Sequence, residues 1–251
     1  MPVAARADDA VVERVSAILA EAPVGTRFGV RVTTMEGEAL PEMAPDNRFV
    51  PASNTKIVTT AAAYARLAEL DDAARGTGVR LEPGKRGRRN VVLVGRGDAR
   101  LSSAVDCMRS CLAALADAVA ARTRKVGDIV GDDSWFPDER WSPGMSWNNI
   151  PTRSGTGISA LTLDDNELAA IVLPGKLGEA PKIAGPGYYQ IENRALTVAG
   201  SDVKIGHWRD PHSFVVRVTG TIGVEAAAER IRFGIDDPAH YAAWRMRALL
   251  A

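Results

Sequence analysis

Phe49-Val50-Pro51-Ala52-Ser53-Asn54-Thr55-Lys56, followed by the small-residue run Ile57-Val58-Thr59-Thr60-Ala61-Ala62-Ala63, is the stretch on which the reading of this chain turns. Pro51 delivers an extended apolar segment to the start of a helix, and the run after Lys56 continues that helix toward Leu70. On a helix, Ser53 and Lys56 share one face about a turn apart, so the amine reaches the hydroxyl. A serine hydroxyl is a poor nucleophile at neutral pH, and an adjacent amine held neutral by its surroundings takes its proton. The helix N-terminus adds a partial positive field where an alkoxide would develop. In an arbitrary sequence the serine is an N-cap and the lysine a solvated charge. Here the small face of Thr59 to Ala63 predicts a helix packed in a core, with Lys56 poorly solvated beside Ser53.

Composition sets the frame around this stretch. The chain has 251 residues with 46% hydrophobic content, enough for one large domain or two modest ones. Lys plus Arg and Asp plus Glu are equal at 31 each, so charge gives no case for nucleic acid or an anionic membrane surface. The basic run Lys85-Arg86-Gly87-Arg88-Arg89 lacks interleaved aromatics and reads as a solvated loop. No apolar run approaches a membrane span, and residues 1–9 have no apolar core of signal-peptide length. Cys107 and Cys111 fall four apart in a segment, Ser102 to Ala121, that reads as a helix. Adjacent helical turns rarely give disulfide geometry and two cysteines make a poor zinc set, so both read as thiols. His207, His212 and His240 show no metal-ligand spacing and read as structural; neither metal nor organic cofactor is expected.

Along the chain, Val11, Val15, Ile18 and Leu19 recur with helical period, Phe28, Val30 and Val32 alternate as a strand, and Glu36-Gly37 turns. Arg75 to Arg89 reads as a linker by its glycines, proline and charges. Beyond it, strands are expected at Val91 to Val94, Asp128 to Gly131, Ile158 to Leu163, Leu168 to Leu173, Ala195 to Val198, Val203 to Trp208 and Phe214 to Thr219, with Asp164-Asp165-Asn166 as a hairpin turn. Pro238 to Ala251 reads as a helix. Trp135, Trp141 and Trp147 are expected to pack a core or its rim, and flat aromatic faces also suit pyranose rings.

The segment Arg48 to Lys56 resembles the active-site entry of penicillin-binding proteins and serine β-lactamases, whose first motif is Ser-x-x-Lys. Four further stretches resemble one branch, the D-alanyl-D-alanine carboxypeptidase/endopeptidases of the class C low-molecular-mass type (peptidase family S13). They are Gly95 to Ser102, Gly131 to Phe136, Ile158 to Asn166 and Ile191 to Ala195. The resemblance implies a mixed α/β (α+β) chain. It comprises the N-terminal part of a β-lactamase/transpeptidase-like domain over 1–72, a strand-rich insertion domain over 73–235, and a helix over 236–251 returning toward the catalytic domain. It also implies Ser53 as nucleophile and Lys56 as its base, peptidoglycan stem peptides and β-lactams as ligands, and an extracytoplasmic location.

In that family a Ser-x-Asn and a Lys-Thr-Gly motif follow the insertion, and the expectation is that both lie beyond Ala251. A competing compact β-lactamase reading takes Ser146-Trp147-Asn148 and Lys204-Ile205-Gly206 as those motifs, although Ile205 lacks the hydroxyl that would contact a carboxylate. A chain with one motif of three is alternatively a binding or structural module, or an esterase using Ser53 and Lys56. An incomplete sheet would leave open edges, from which pairing with a second copy or a completing partner chain is expected.

Overall fold

The computed structural model describes residues 7–67 and 76–251, which divide into two compact units, one within 1–70 and one within 71–251. The first unit opens with α1 (Ala7–Ala20), whose partly buried Val15 and Leu19 carry the helical period while Val11 and Ile18 remain exposed. Strands β1 (Val30–Thr33) and β2 (Ala39–Met43) form an antiparallel hairpin, with Val30 opposite Met43 and Arg31 bridging Glu42 at 3.2 Å. Gly29 beside it leaves room for the Phe49 ring, which a Cβ there would meet at 2.4 Å. Helix α2 (Thr55–Arg66) follows a single 3-10 turn, Ala52–Asn54. The expected continuation of α2 toward Leu70 lies outside the described residues.

The second unit holds three sheets. In the first, β3 (Gly78–Pro83) pairs antiparallel with β4 (Arg89–Val94), which pairs parallel with β5 (Val126–Asp132). A parallel pair needs a crossover, and α3 (Leu112–Ala120) supplies it. The uninterrupted apolar run Val91-Val92-Leu93 is buried throughout, as a covered strand of this kind requires. Helix α4 (Pro238–Leu250), capped by the Asp237 carboxylate accepting from the His240 N–H, packs on β5 and α3. A Cβ on Gly131 would meet the Ala239 carbonyl at 2.2 Å, so β5 and α4 approach closely only because residue 131 has none.

The second sheet is antiparallel, with β6 (Glu167–Leu173) between β7 (Lys182–Ala184) and β12 (Glu229–Gly234). The third has β11 (Val215–Gly223) at its centre. It is antiparallel to β10 (Val203–Trp208) and parallel to β8 (Gln190–Asn193) and β9 (Leu196–Val198). Leu93, Leu112, Leu161, Val172, Val216, Ile235 and Met246 from these layers join one hydrophobic core.

Five sequence expectations are corrected here. Within the expected linker, residues 78–83 form β3, whose alternating Val79 and Leu81 pack on the core; Pro83 marks its end on an edge strand. Residues 158–163 are not a strand, and Asp164, Asp165 and Asn166 form no hairpin turn but three successive left-handed residues with φ of 52°, 56° and 53°. The Asn166 side chain stabilises that turn, with the Leu163 N–H donating to Asn166 Oδ1 and Asn166 Nδ2 donating to the Gly157 carbonyl, and a long-range backbone bond from the Asp164 N–H to the Leu101 carbonyl anchors it. Cys107 and Cys111 are disulfide-bonded, with Cα atoms 5.7 Å apart. The helix expected from Ser102 begins only at Leu112, so the cysteines lie in a loop where the constraint from adjacent helical turns does not apply.

Candidate active site

Ser53 sits in the 3-10 turn and Lys56 in the first turn of α2, so the spacing of three spans a junction rather than one continuous helix. The geometry still closes. Lys56 Nζ donates to Ser53 Oγ at 3.0 Å. Ala52, immediately before the serine, has φ of 45°, a left-handed conformation costly for a residue with a Cβ. The Asn54 N–H donates to the Pro51 carbonyl at 2.9 Å and fixes the turn. Thr59 and Thr60 are not core residues; their hydroxyls donate to the carbonyls of Thr55 and Lys56, one turn back.

The expected burial of Lys56 is corrected. No residue of α2 is buried, and Ile57, Val58 and Tyr64 are 69%, 71% and 78% exposed. The helix has an apolar surface, but the described residues do not cover it, so they supply no low-dielectric surrounding for the amine.

Ser146-Trp147-Asn148 and Lys204-Ile205-Gly206 belong to the second unit. Ser146 Oγ donates to Asn148 Oδ1 at 2.6 Å, turning the motif's polar groups on each other. Lys204 stands on β10 with Asp202 at 3.8 Å, while Ile205 packs against the core. Lys85 to Arg88 lie in an exposed turn between β3 and β4, and Arg89, also exposed, opens β4. Among the described residues no group of three or more His, Cys, Asp or Glu is placed to hold a metal, and no helix is long and apolar enough to cross a membrane.

Sequence reasoning missed a second concave site in this unit. Arg209, 1% exposed, donates through both terminal nitrogens to the Asp236 carboxylate, and its guanidinium lies 4.8 Å from the centre of the Tyr189 ring. Burial would lower the arginine's proton affinity, but the hydrogen bonds to Asp236 outweigh it and hold the group above its ordinary value. Burial pushes the Tyr189 hydroxyl up to about 12, and that of Tyr188 higher still. Arg209 and Asp236 are 27 positions apart, with no periodic signal to join them; the adjacent Tyr188-Tyr189 pair was the one local hint.

The family described as "D-Ala-D-Ala carboxypeptidase 3 (S13) family" matches residues 11–251. A D-alanyl-D-alanine carboxypeptidase of Actinomadura sp. (strain R39) is 35% identical over 225 residues, covering 84% of this chain and 40% of the relative. The crystal structure of penicillin binding protein 4 (dacB) from Haemophilus influenzae superposes with a TM-score of 0.71 at 21% identity, covering 94% of this chain and 53% of that one. A structure of the same protein complexed with a β-lactam gives a TM-score of 0.63 at 20% identity, covering 94% and 51%. The chain therefore shares that fold, and it spans about half the length of these relatives or less.

Proposed function

This chain belongs to the D-Ala-D-Ala carboxypeptidase 3 (S13) family, and from that premise we propose that Ser53 and Lys56 are the nucleophile and base of a serine-type D-Ala-D-Ala carboxypeptidase/endopeptidase acting on peptidoglycan stem peptides. The 3.0 Å contact between Lys56 Nζ and Ser53 Oγ carries this reading. Lys56 Nζ takes the Ser53 hydroxyl proton as Oγ attacks the carbonyl carbon of the terminal D-Ala-D-Ala amide. The tetrahedral intermediate collapses with cleavage of the C–N bond, the leaving D-alanine nitrogen takes the proton that Lys56 removed from Ser53, and an ester to Ser53 remains. Water then attacks the ester and returns the proton to Oγ. The Ser53 N–H is one oxyanion donor on this scheme. Benzylpenicillin, whose ring amide mimics the dipeptide, acylates the same oxygen.

The division into a transpeptidase-like part over 1–72, an insertion over 73–235 and a returning helix over 236–251 belongs to this proposal. So does an extracytoplasmic location, which the Cys107–Cys111 disulfide supports because such bonds persist in oxidising compartments. Intact mass after incubation with benzylpenicillin, run beside Ser53→Ala, tests the assignment. A mass increase that depends on Ser53 supports it, and labelling that persists in the variant overturns it.

The exposure of α2 favours a second reading, in which these residues form a binding or structural module whose Ser–Lys pair is completed by another chain or a second copy. Absence of any adduct from folded protein, with self-association in sedimentation velocity, supports that reading over the first.

A further inference from the structure

The second unit contains a cavity of about 310 Å³ at the N-terminal end of α4, within reach of the size range of small-ligand sites. Its floor is the Arg209–Asp236 pair. Its walls are the rings of Tyr188, Phe214, His212 and His240. Tyr188, Phe214 and His240 stand 5.5–5.7 Å apart by ring centre. They are packed on one another, with no room for a cation between them, and Phe214 remains 50% exposed at the mouth. His212 is held in the left-handed region, φ 62°, by its N–H donating to Asp236 Oδ2 at 2.6 Å, and its ring meets the edge of Trp141 at 5.9 Å. Buried bonding thus fixes the backbone that carries an exposed ring.

The charges of the site are already matched. Arg209 is paired with Asp236 and donates through its terminal nitrogens to the carbonyls of Asp210, Ser213 and Gly234, which matches its charge and leaves only its Nε–H, buried, without a partner. Asp237 caps α4 and faces Arg140 at 3.7 Å. The groups left over are a hydroxyl and two imidazoles. Ser213 Oγ accepts from the Val215 N–H and keeps its hydroxyl proton for a ligand, His240 shares only Nδ1 with the Tyr188 hydroxyl, and the His212 ring nitrogens have no partner among the described residues. An apolar aromatic face beside hydroxyl and imidazole donors and acceptors, on a rigid floor whose charges are paired, matches a polyol that has one apolar face.

We propose that this cavity binds a pyranose unit, with Phe214 as the stacking face and Ser213, His212 and His240 bonding the sugar hydroxyls. The sugar class follows from the walls; its identification as a unit of the peptidoglycan glycan strand rests on the function proposed above.

The test is ligand-observed saturation-transfer NMR on the full chain titrated with N,N′,N″-triacetylchitotriose. Saturable transfer to the ring protons is expected, with affinity about tenfold weaker in Phe214→Ala, the loss of one stacking contact. His212→Asn, which keeps a residue tolerant of the left-handed backbone, should weaken it similarly and serves if Phe214→Ala misfolds. No saturable transfer, or transfer unchanged in a folded variant, overturns the site. Benzylpenicillin labelling of Phe214→Ala should match that of the parent chain, so failure of the cavity and failure of the Ser53 assignment are read separately.

Discussion

Lys56 Nζ lies 3.0 Å from Ser53 Oγ across the junction between a 3-10 turn and α2, and Ala52 ahead of them holds φ of 45°. If this contact activates the serine, Lys56→Met should lower the rate of benzylpenicillin acylation by about 10²–10⁴-fold, the usual contribution of a positioned base. Time-resolved intact mass checks it; an unchanged rate would show that the contact is only structural.

Breaking the Arg209–Asp236 pair leaves a charge buried without its partner. Asp236→Asn should cost about 3–5 kcal/mol of stability in urea unfolding. The paired change Arg209→Met with Asp236→Leu should cost less than the two single changes together, because no orphaned charge remains.

Two glycines separate packing from backbone freedom. Gly131→Ala drives a Cβ to 2.2 Å from the Ala239 carbonyl and should cost about 1–3 kcal/mol as α4 is pushed from β5. Gly78→Ala has open space and no left-handed φ, so it should be neutral or stabilising by less than about 1 kcal/mol. Thermal melts of both variants beside the parent distinguish these outcomes.

His207 lies with its ring edge-on to Phe233, and its Nε2 is buried with no hydrogen-bond partner. Burial, aided by the charge of Arg209 and opposed by a hydrogen bond with the Pro151 backbone, holds it below its ordinary 6.5. The folded state therefore binds the proton less readily than the unfolded chain. This contribution to stability is full above pH 6.5 and is lost as pH falls from there toward the folded value. Urea midpoints should drop between pH 7.5 and 5.5, and His207→Leu should flatten that dependence.

Closing the short loop between Cys107 and Cys111 should stabilise the fold by about 2 kcal/mol on the chain-entropy model, and Cys107→Ser with Cys111→Ser should lose that amount. Thiol titration of the native chain should find no reactive cysteine before reduction; one or two free thiols would contradict the bond.

Local chemistry was legible in the sequence. Alternation and apolar runs marked β4, β5, β10 and β11, and helical period marked α1, because these signals depend only on neighbours a turn or two residues away. The placement of Ser53 three residues from Lys56, on which the candidate site depends, was equally readable, since the chain itself keeps them within reach. The third-sheet pairing of β8 and β9 alongside β11, the left-handed turn at Asp164 to Asn166, and the disulfide in place of a helical pair of thiols were decided by tertiary structure. So was the solvent around Lys56: the small residues of α2 describe a surface able to be buried, but burial depends on which other parts of a fold reach it. The Arg209–Asp236 floor and its aromatic walls were illegible for the same reason, because their members are gathered from three separate segments. Bonds between residues distant in sequence leave no periodicity behind, whereas a serine and a lysine three residues apart are held together by the backbone alone.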